Sequence, residues 1–196
     1  MELKTLTVGE MRTNCYLFYD SQTLECAIID PGDEADFITE EIIRLRLKPQ
    51  FIILTHGHFD HCTACLELKL NFSIPIFLDS QDKFLYQNAH KSAHHFSAIP
   101  ALKLPPVISQ NNTLVAKFFQ IIPTPGHTPG SVSLYAKPFL FSGDTLFADS
   151  NGDTSHSYSR SMDLKRSLKS LFSLPPSTLV YPGHGESFIL ADHCQE

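Results

Sequence analysis

The sequence predicts an α+β chain in which two β-sheets pack face to face with helices outside them. Three observations lead there. Strand-like and helix-like segments recur in two rounds along the 196 residues. Side chains suited to metal binding stand at the ends of several strand-like runs. No fixed-period repeat, low-complexity tract or apolar stretch of membrane-spanning length interrupts the pattern.

Residues 3–8, 15–19 and 26–29 read as strands, separated by turn-forming residues such as Asp20-Ser21-Gln22. Residues 33–47 read as a helix, because acidic residues open it and Ile38, Ile42 and Leu45 form a stripe at helical spacing. Residues 51–54 are a short apolar run of the buried-strand type, followed by a short helix at 63–70 and a short strand at 75–78. The second round has strands at 115–122, 131–136 and 139–142, a helix at 164–172 and a strand at 178–181. Two polar segments lie between. Residues 89–112, with His90, His94, His95 and several prolines, read as an irregular excursion whose histidines are solvated or hydrogen-bonded. Residues 149–160 follow a metal-ligand motif closely, so they are expected near it, with Tyr158 and Arg160 as candidate substrate contacts.

A chain of this length buries about 70% of its unfolded surface, enough for one domain spanning residues 1–196. The net charge of −6 argues against nucleic acid as a partner. Glu2 and Lys4 break up the N-terminal apolar residues, so no signal peptide is expected and the cytoplasm is the default location, without membrane attachment. Five cysteines, an odd number at irregular spacing, do not form a disulfide framework. Cys62 and Cys65 are read as small residues packing a helix rather than a redox pair.

The chemistry is concentrated in His56-Gly57-His58-Phe59-Asp60-His61, four metal-binding side chains within six residues. A single His-x-His pair would mean little among ten histidines. Here three further ligand types follow, each in a glycine-marked turn: His127, Asp144 and His184. If the backbone stays extended past residue 54, His56 and His58 project to one side, while Asp60 and His61 address a neighbouring position. His127 completes the first site and His184 the second. Asp144 has two oxygens and bridges them. Structural zinc sites favour four cysteine-rich ligands, so seven ligands without cysteine favour catalysis. Two divalent cations, zinc first with iron or manganese also compatible, polarise a substrate oxygen and lower the pKa of a shared water. Asp60 and Asp144 are the candidate catalytic carboxylates, Asp60 as a proton acceptor and Asp144 as the bridge.

With Ile28-Ile29-Asp30-Pro31-Gly32, Thr124-Pro125-Gly126-His127-Thr128, Phe141-Ser142-Gly143-Asp144-Thr145 and Tyr181-Pro182-Gly183-His184-Gly185, these residues resemble the metallo-β-lactamase fold superfamily. Within it the chain is most similar to short hydrolases of the glyoxalase II type. The resemblance implies a four-layer αββα sandwich, two metals held by the seven residues named, and a thioester or ester of a small molecule as substrate. S-2-hydroxyacylglutathione is one such thioester. The resemblance also implies that Asp30 orders a metal ligand by hydrogen bonding. An aspartate at 144, where true metallo-β-lactamases carry Cys or His, argues against antibiotic hydrolysis. Gly152-Asp153-Thr154-Ser155 stands where many relatives have Gly-Arg-Thr-Asp, and the chain ends at Glu196 without the helical C-terminal domain of full-length glyoxalase II. The alternatives are a mononuclear iron persulfide dioxygenase, against which the His184 turn argues, and a metal-binding module without turnover.

Overall fold

The computed structural model describes residues 1–96 and 104–193. β1 (Glu2–Val8) and β2 (Thr13–Tyr19) form a hairpin in which Glu2 faces Tyr19 and Val8 faces Thr13. β3 (Glu25–Ile29) continues antiparallel to β2. The chain then crosses through α1 (Ala35–Arg44) to β4 (Lys48–Ile53), parallel to β3, and through α2 (Cys65–Phe72) to β5 (Ile76–Leu78), parallel to β4. After α3 (Lys83–Phe96), β6 (Ile108–Ser109) closes the six-stranded sheet, whose order is β1-β2-β3-β4-β5-β6. A short α4 (Thr113–Ala116) leads into β7 (Gln120–Pro123), β8 (Val132–Ala136) and β9 (Phe139–Gly143). Then α5 (Ser161–Leu171) precedes β10 (Leu179–Pro182) and β11 (Phe188–Ile189), giving a second sheet of order β11-β10-β9-β8-β7.

Period-two alternation sorts the side chains into layers. In β2, Cys15 and Leu17 join a cluster with Ile38 and Ile42 of α1 and Leu68 of α2, while Tyr16 and Phe18 point the other way. In β4, Phe51 and Ile53 share that inter-sheet layer with Phe141 and Leu134 of the second sheet. Leu140 and Val180 face Leu171 and Leu168 of α5. The order is therefore helix, sheet, sheet, helix, as the sequence led us to expect. Aromatic rings dominate the middle: Phe18 meets Phe141 edge-on at 5.3 Å and Phe119 at 5.3 Å. Truncating so buried a ring costs about 3–5 kcal/mol.

Local chemistry sets the ends of the elements. α1 stops because Arg46 adopts φ 56, letting the Leu47 amide donate to the Ile42 carbonyl and the Arg46 amide to that of Ile43. This paired closure uses up the last carbonyls of the helix.

Two expectations need correction. Residues 115–122 are not one strand. Asn112 accepts from the Leu114 amide and starts a helical turn, with Val115 and Phe119 buried four residues apart, so the strand begins only at Gln120. Residues 89–96 are not irregular either: they belong to α3, which buries Tyr86 and Ala89. Residues 97–103 of that expected excursion lie outside the described residues. No helix among the described residues is long and apolar enough to cross a membrane.

Candidate metal centre

The functional side chains gather at one edge, where parallel strands of both sheets end. β3 delivers Asp30, β4 runs into Thr55 and His56, β9 ends next to Asp144 and β10 next to His184. A 3-10 turn at Phe59–His61 carries Asp60 and His61, and the β7–β8 connection carries His127. The sheets are stitched together here, since the Asn14 main-chain amide donates to the Gly183 carbonyl and its side-chain amide to that of Pro182. Gly183 has to be glycine, because a Cβ there would collide with Asp144 Oδ1 and His61 Cε1.

All seven expected ligands converge. His56, His58, His127 and Asp144 form one group with donor atoms within 4.8 Å of one another, and Asp60, His61 and His184 form a second. Asp144 joins them: its Oδ1 lies 3.4 Å from His61 Nε2, and its Oδ2 lies 3.7 Å from His184 Nε2 and 3.8 Å from His127 Nε2. Asp60 Oδ2 lies 3.3 Å from His184 Nε2 and 3.6 Å from His61 Nε2.

Each imidazole is held from behind. His61 Nδ1 donates to Asp30 Oδ2 at 3.1 Å, His127 Nδ1 to the Asp153 carbonyl at 2.8 Å, and His184 Nδ1 to the Met11 carbonyl at 3.1 Å. Thr55 donates its hydroxyl to Asp30 Oδ2, so its oxygen is left to accept from His56 Nδ1 at 3.1 Å. These bonds assign the protonated nitrogen to the outer side and turn every Nε2 lone pair inward. His58 is the exception: its Nε2 meets the Tyr158 hydroxyl at 2.8 Å, and its Nδ1 faces His127 Nε2 at 3.1 Å. Buried within the cluster, His56 Nε2, His61 Nε2 and Asp144 Oδ1 lack a hydrogen-bond partner. Orphaned lone pairs from imidazole and carboxylate, aimed at shared points, are what a pair of divalent cations requires, so the residues present fit such ions.

The two groups differ electrostatically. Burial, then the neighbouring His61, pushes His56 well down, and burial with His127 lowers His58 to about 3. Burial alone would also lower His61, but the Asp144, Asp60 and Asp30 carboxylates outweigh it and raise the ring well above its ordinary value. His184 behaves likewise, raised by Asp60 and Asp144 against burial. Burial works to raise Asp60 and Asp144, but both end below the ordinary carboxylate value because His61 and His184 attract them.

Sequence reasoning did not single out Asp82. Its Oδ2 accepts from the Gly57 amide at 2.9 Å and the Thr128 hydroxyl at 2.6 Å, and its Oδ1 from the Gly130 amide at 2.6 Å. One buried carboxylate thus ties the His56–His61 motif to the His127 turn. Burial raises its pKa, and no short motif marks it in the sequence. Tyr158, a candidate substrate contact from the sequence, rests its hydroxyl on His58. Its segment is moored by the Ser159 hydroxyl to the His127 carbonyl at 2.6 Å and by the Arg160 amide to the Gly126 carbonyl at 2.8 Å. Cys62 and Cys65 are buried free thiols raised by burial, which disfavours redox chemistry.

The chain is similar to known proteins in sequence and in fold. The chain is 32% identical to hydroxyacylglutathione hydrolase GloC of Haemophilus influenzae, over 94% of this chain and 90% of that protein. The crystal structure of TTHA1623 in a di-iron-bound form superposes with a TM-score of 0.89 at 35% identity, covering 96% of both chains. That of the BLEG-1 B3 metallo-beta-lactamase superposes with a TM-score of 0.88 at 32% identity, covering 97% of this chain and 95% of that one. The family model described as the metallo-beta-lactamase superfamily matches residues 8–184, and the chain belongs to that superfamily.

Proposed function

We propose that the protein is a binuclear metal-dependent hydrolase of a small thioester or ester. The observation that carries the reading is the convergence of seven ligand-type side chains in two adjoining groups, with His56 Nε2, His61 Nε2 and Asp144 Oδ1 buried among them without a hydrogen-bond partner. In this reading His56, His58 and His127 hold one cation, Asp60, His61 and His184 hold the other, and Asp144 bridges. Such a pair supplies an activated water and polarises a carbonyl oxygen. The chain's own residues do the rest. Asp30, Thr55, Asp153 and Met11 fix the tautomers, which keeps the ligand lone pairs pointed inward without reorganisation. Asp60 is kept ionised by His61 and His184 and is the proton acceptor during turnover. The name of the Haemophilus relative supports a thioester substrate, and the di-iron form of TTHA1623 makes iron as eligible as zinc.

The test is a panel on protein loaded separately with zinc and with iron: S-lactoylglutathione, aryl esters, lactones and a cephalosporin, with oxygen uptake on glutathione persulfide. The similarity to BLEG-1 is the reason for the cephalosporin. Turnover of a thioester or ester above the β-lactam is expected. Oxygen uptake by a protein holding one iron, with no hydrolysis, would overturn the reading in favour of a persulfide dioxygenase.

A further inference from the structure

Beside the cluster lies a cavity of about 250 Å3, lined among others by Gln81, Gly126, Thr128, Tyr158, Arg160 and Asp163. It adjoins the metal-binding residues on two sides. Tyr158 lines it and also touches His58 Nε2 through its hydroxyl at 2.8 Å, and Gly126 and Thr128 flank His127. Most polar groups in its wall are already committed. Thr128 donates to Asp82 Oδ2, and Asp163 accepts from Arg166 Nη1 at 2.9 Å. The Arg160 guanidinium and the Gln81 carboxamide are left over, since neither side chain has a hydrogen-bond or ion-pair partner among the described residues. The Arg160 main chain, by contrast, is fixed by the hydrogen bond that its amide donates to the Gly126 carbonyl.

We infer that this cavity is a subsite for a substrate carboxylate, read by Arg160 and Gln81, so that the thioester or ester hydrolysed carries an anionic end. The inference rests on the hydrolase reading and adds the substrate class to it. A cavity of this size is smaller than the 300–1,000 Å3 typical of a whole ligand site and suits one end of a molecule. A guanidinium offers paired, parallel donors that match a carboxylate. The carboxylate in the wall, Asp163, forms its ion pair with Arg166 and not with Arg160.

Metal-loaded wild-type protein, Arg160→Ala and Arg160→Lys are assayed on S-lactoylglutathione and on the same thioester with both carboxylates methylated. The Arg160 side chain is exposed, so the alanine variant keeps its fold. In Arg160→Ala the KM for the anionic thioester is expected to rise about fivefold with kcat nearly unchanged, and KM for the methylated thioester to stay constant. Arg160→Lys is expected to recover part of the loss, and added salt to shrink the difference between the two substrates. Equal KM changes for both thioesters, or none, would overturn the subsite while leaving the hydrolase reading intact. Hydrolysis of neither thioester by the metal-loaded wild type would overturn both.

Discussion

The two halves of the metal centre share Asp144 but are built differently. The His56, His58 and His127 half is held with imidazoles, and burial keeps His56 and His58 neutral well below the ordinary histidine value. The Asp60, His61 and His184 half places two imidazoles among carboxylates, and there the charges win over burial and raise both rings. One half is ready for a cation as it stands; the other must release protons to accept one. His56 and His61, both fully buried, are thus shifted in opposite directions, depending on whether the nearest neighbours are imidazoles or carboxylates.

The shared residue gives the largest expected effect. Asp144→Ala removes the carboxylate that lies within 3.8 Å of His127 in one half and of His61 and His184 in the other, so metal content should fall from two equivalents to about one or less. Hydrolysis should drop about a thousandfold, the upper range for losing one group that stabilises charge at a reaction centre. Metal analysis beside steady-state kinetics checks both, and full activity in the variant would break the comparison at its centre. His184→Ala is the next test. It strips only the carboxylate-rich half, and metal analysis should find the other ion retained.

The pH response follows in size. His61 and His184 are raised, so in the metal-free protein they stay protonated through the ordinary histidine value of about 6.5 and lose their protons only above it. Affinity of that half should fall about tenfold per pH unit for each proton displaced as pH drops through the raised values. His56 and His58 are lowered, so protons compete for those two ligands of the other half only well below 6.5, and that half should lose its ion later. Metal titrations at stepped pH check the order of loss, and simultaneous loss would contradict the electrostatic contrast. The smallest effect is expected from Tyr158→Phe. It removes the hydroxyl behind His58 and should weaken the three-imidazole half roughly tenfold, the low end for an outer hydrogen-bond partner of a metal ligand. The second half should be unaffected.

Much of this was legible in the sequence because the ligands sit at strand ends in glycine-marked turns, and both features leave a short-range pattern. The alternation of β2 and the Ile38–Ile42 stripe of α1 were readable for the same reason. What the sequence hid depends on distant partners. Asp82 looks like any polar residue before a helix, and its role exists only once Gly57, Thr128 and Gly130 meet around it. α3 was obscured because polar residues such as Gln87, Asn88 and Lys91 dilute its apolar face to Tyr86 and Ala89. Residues 115–122 misled because Val115 and Phe119, buried four apart, lie in a run apolar enough to pass for a strand. The preceding Asn112 was the overlooked helix-start signal.

The central claim is that two cations share this one cluster. Counting bound metal in the purified protein while titrating zinc or iron against thioester or ester hydrolysis tests it most directly. The account predicts saturation at two equivalents per chain, with activity rising as the second binds. Saturation below one equivalent, with no gain in activity on adding metal, would contradict it.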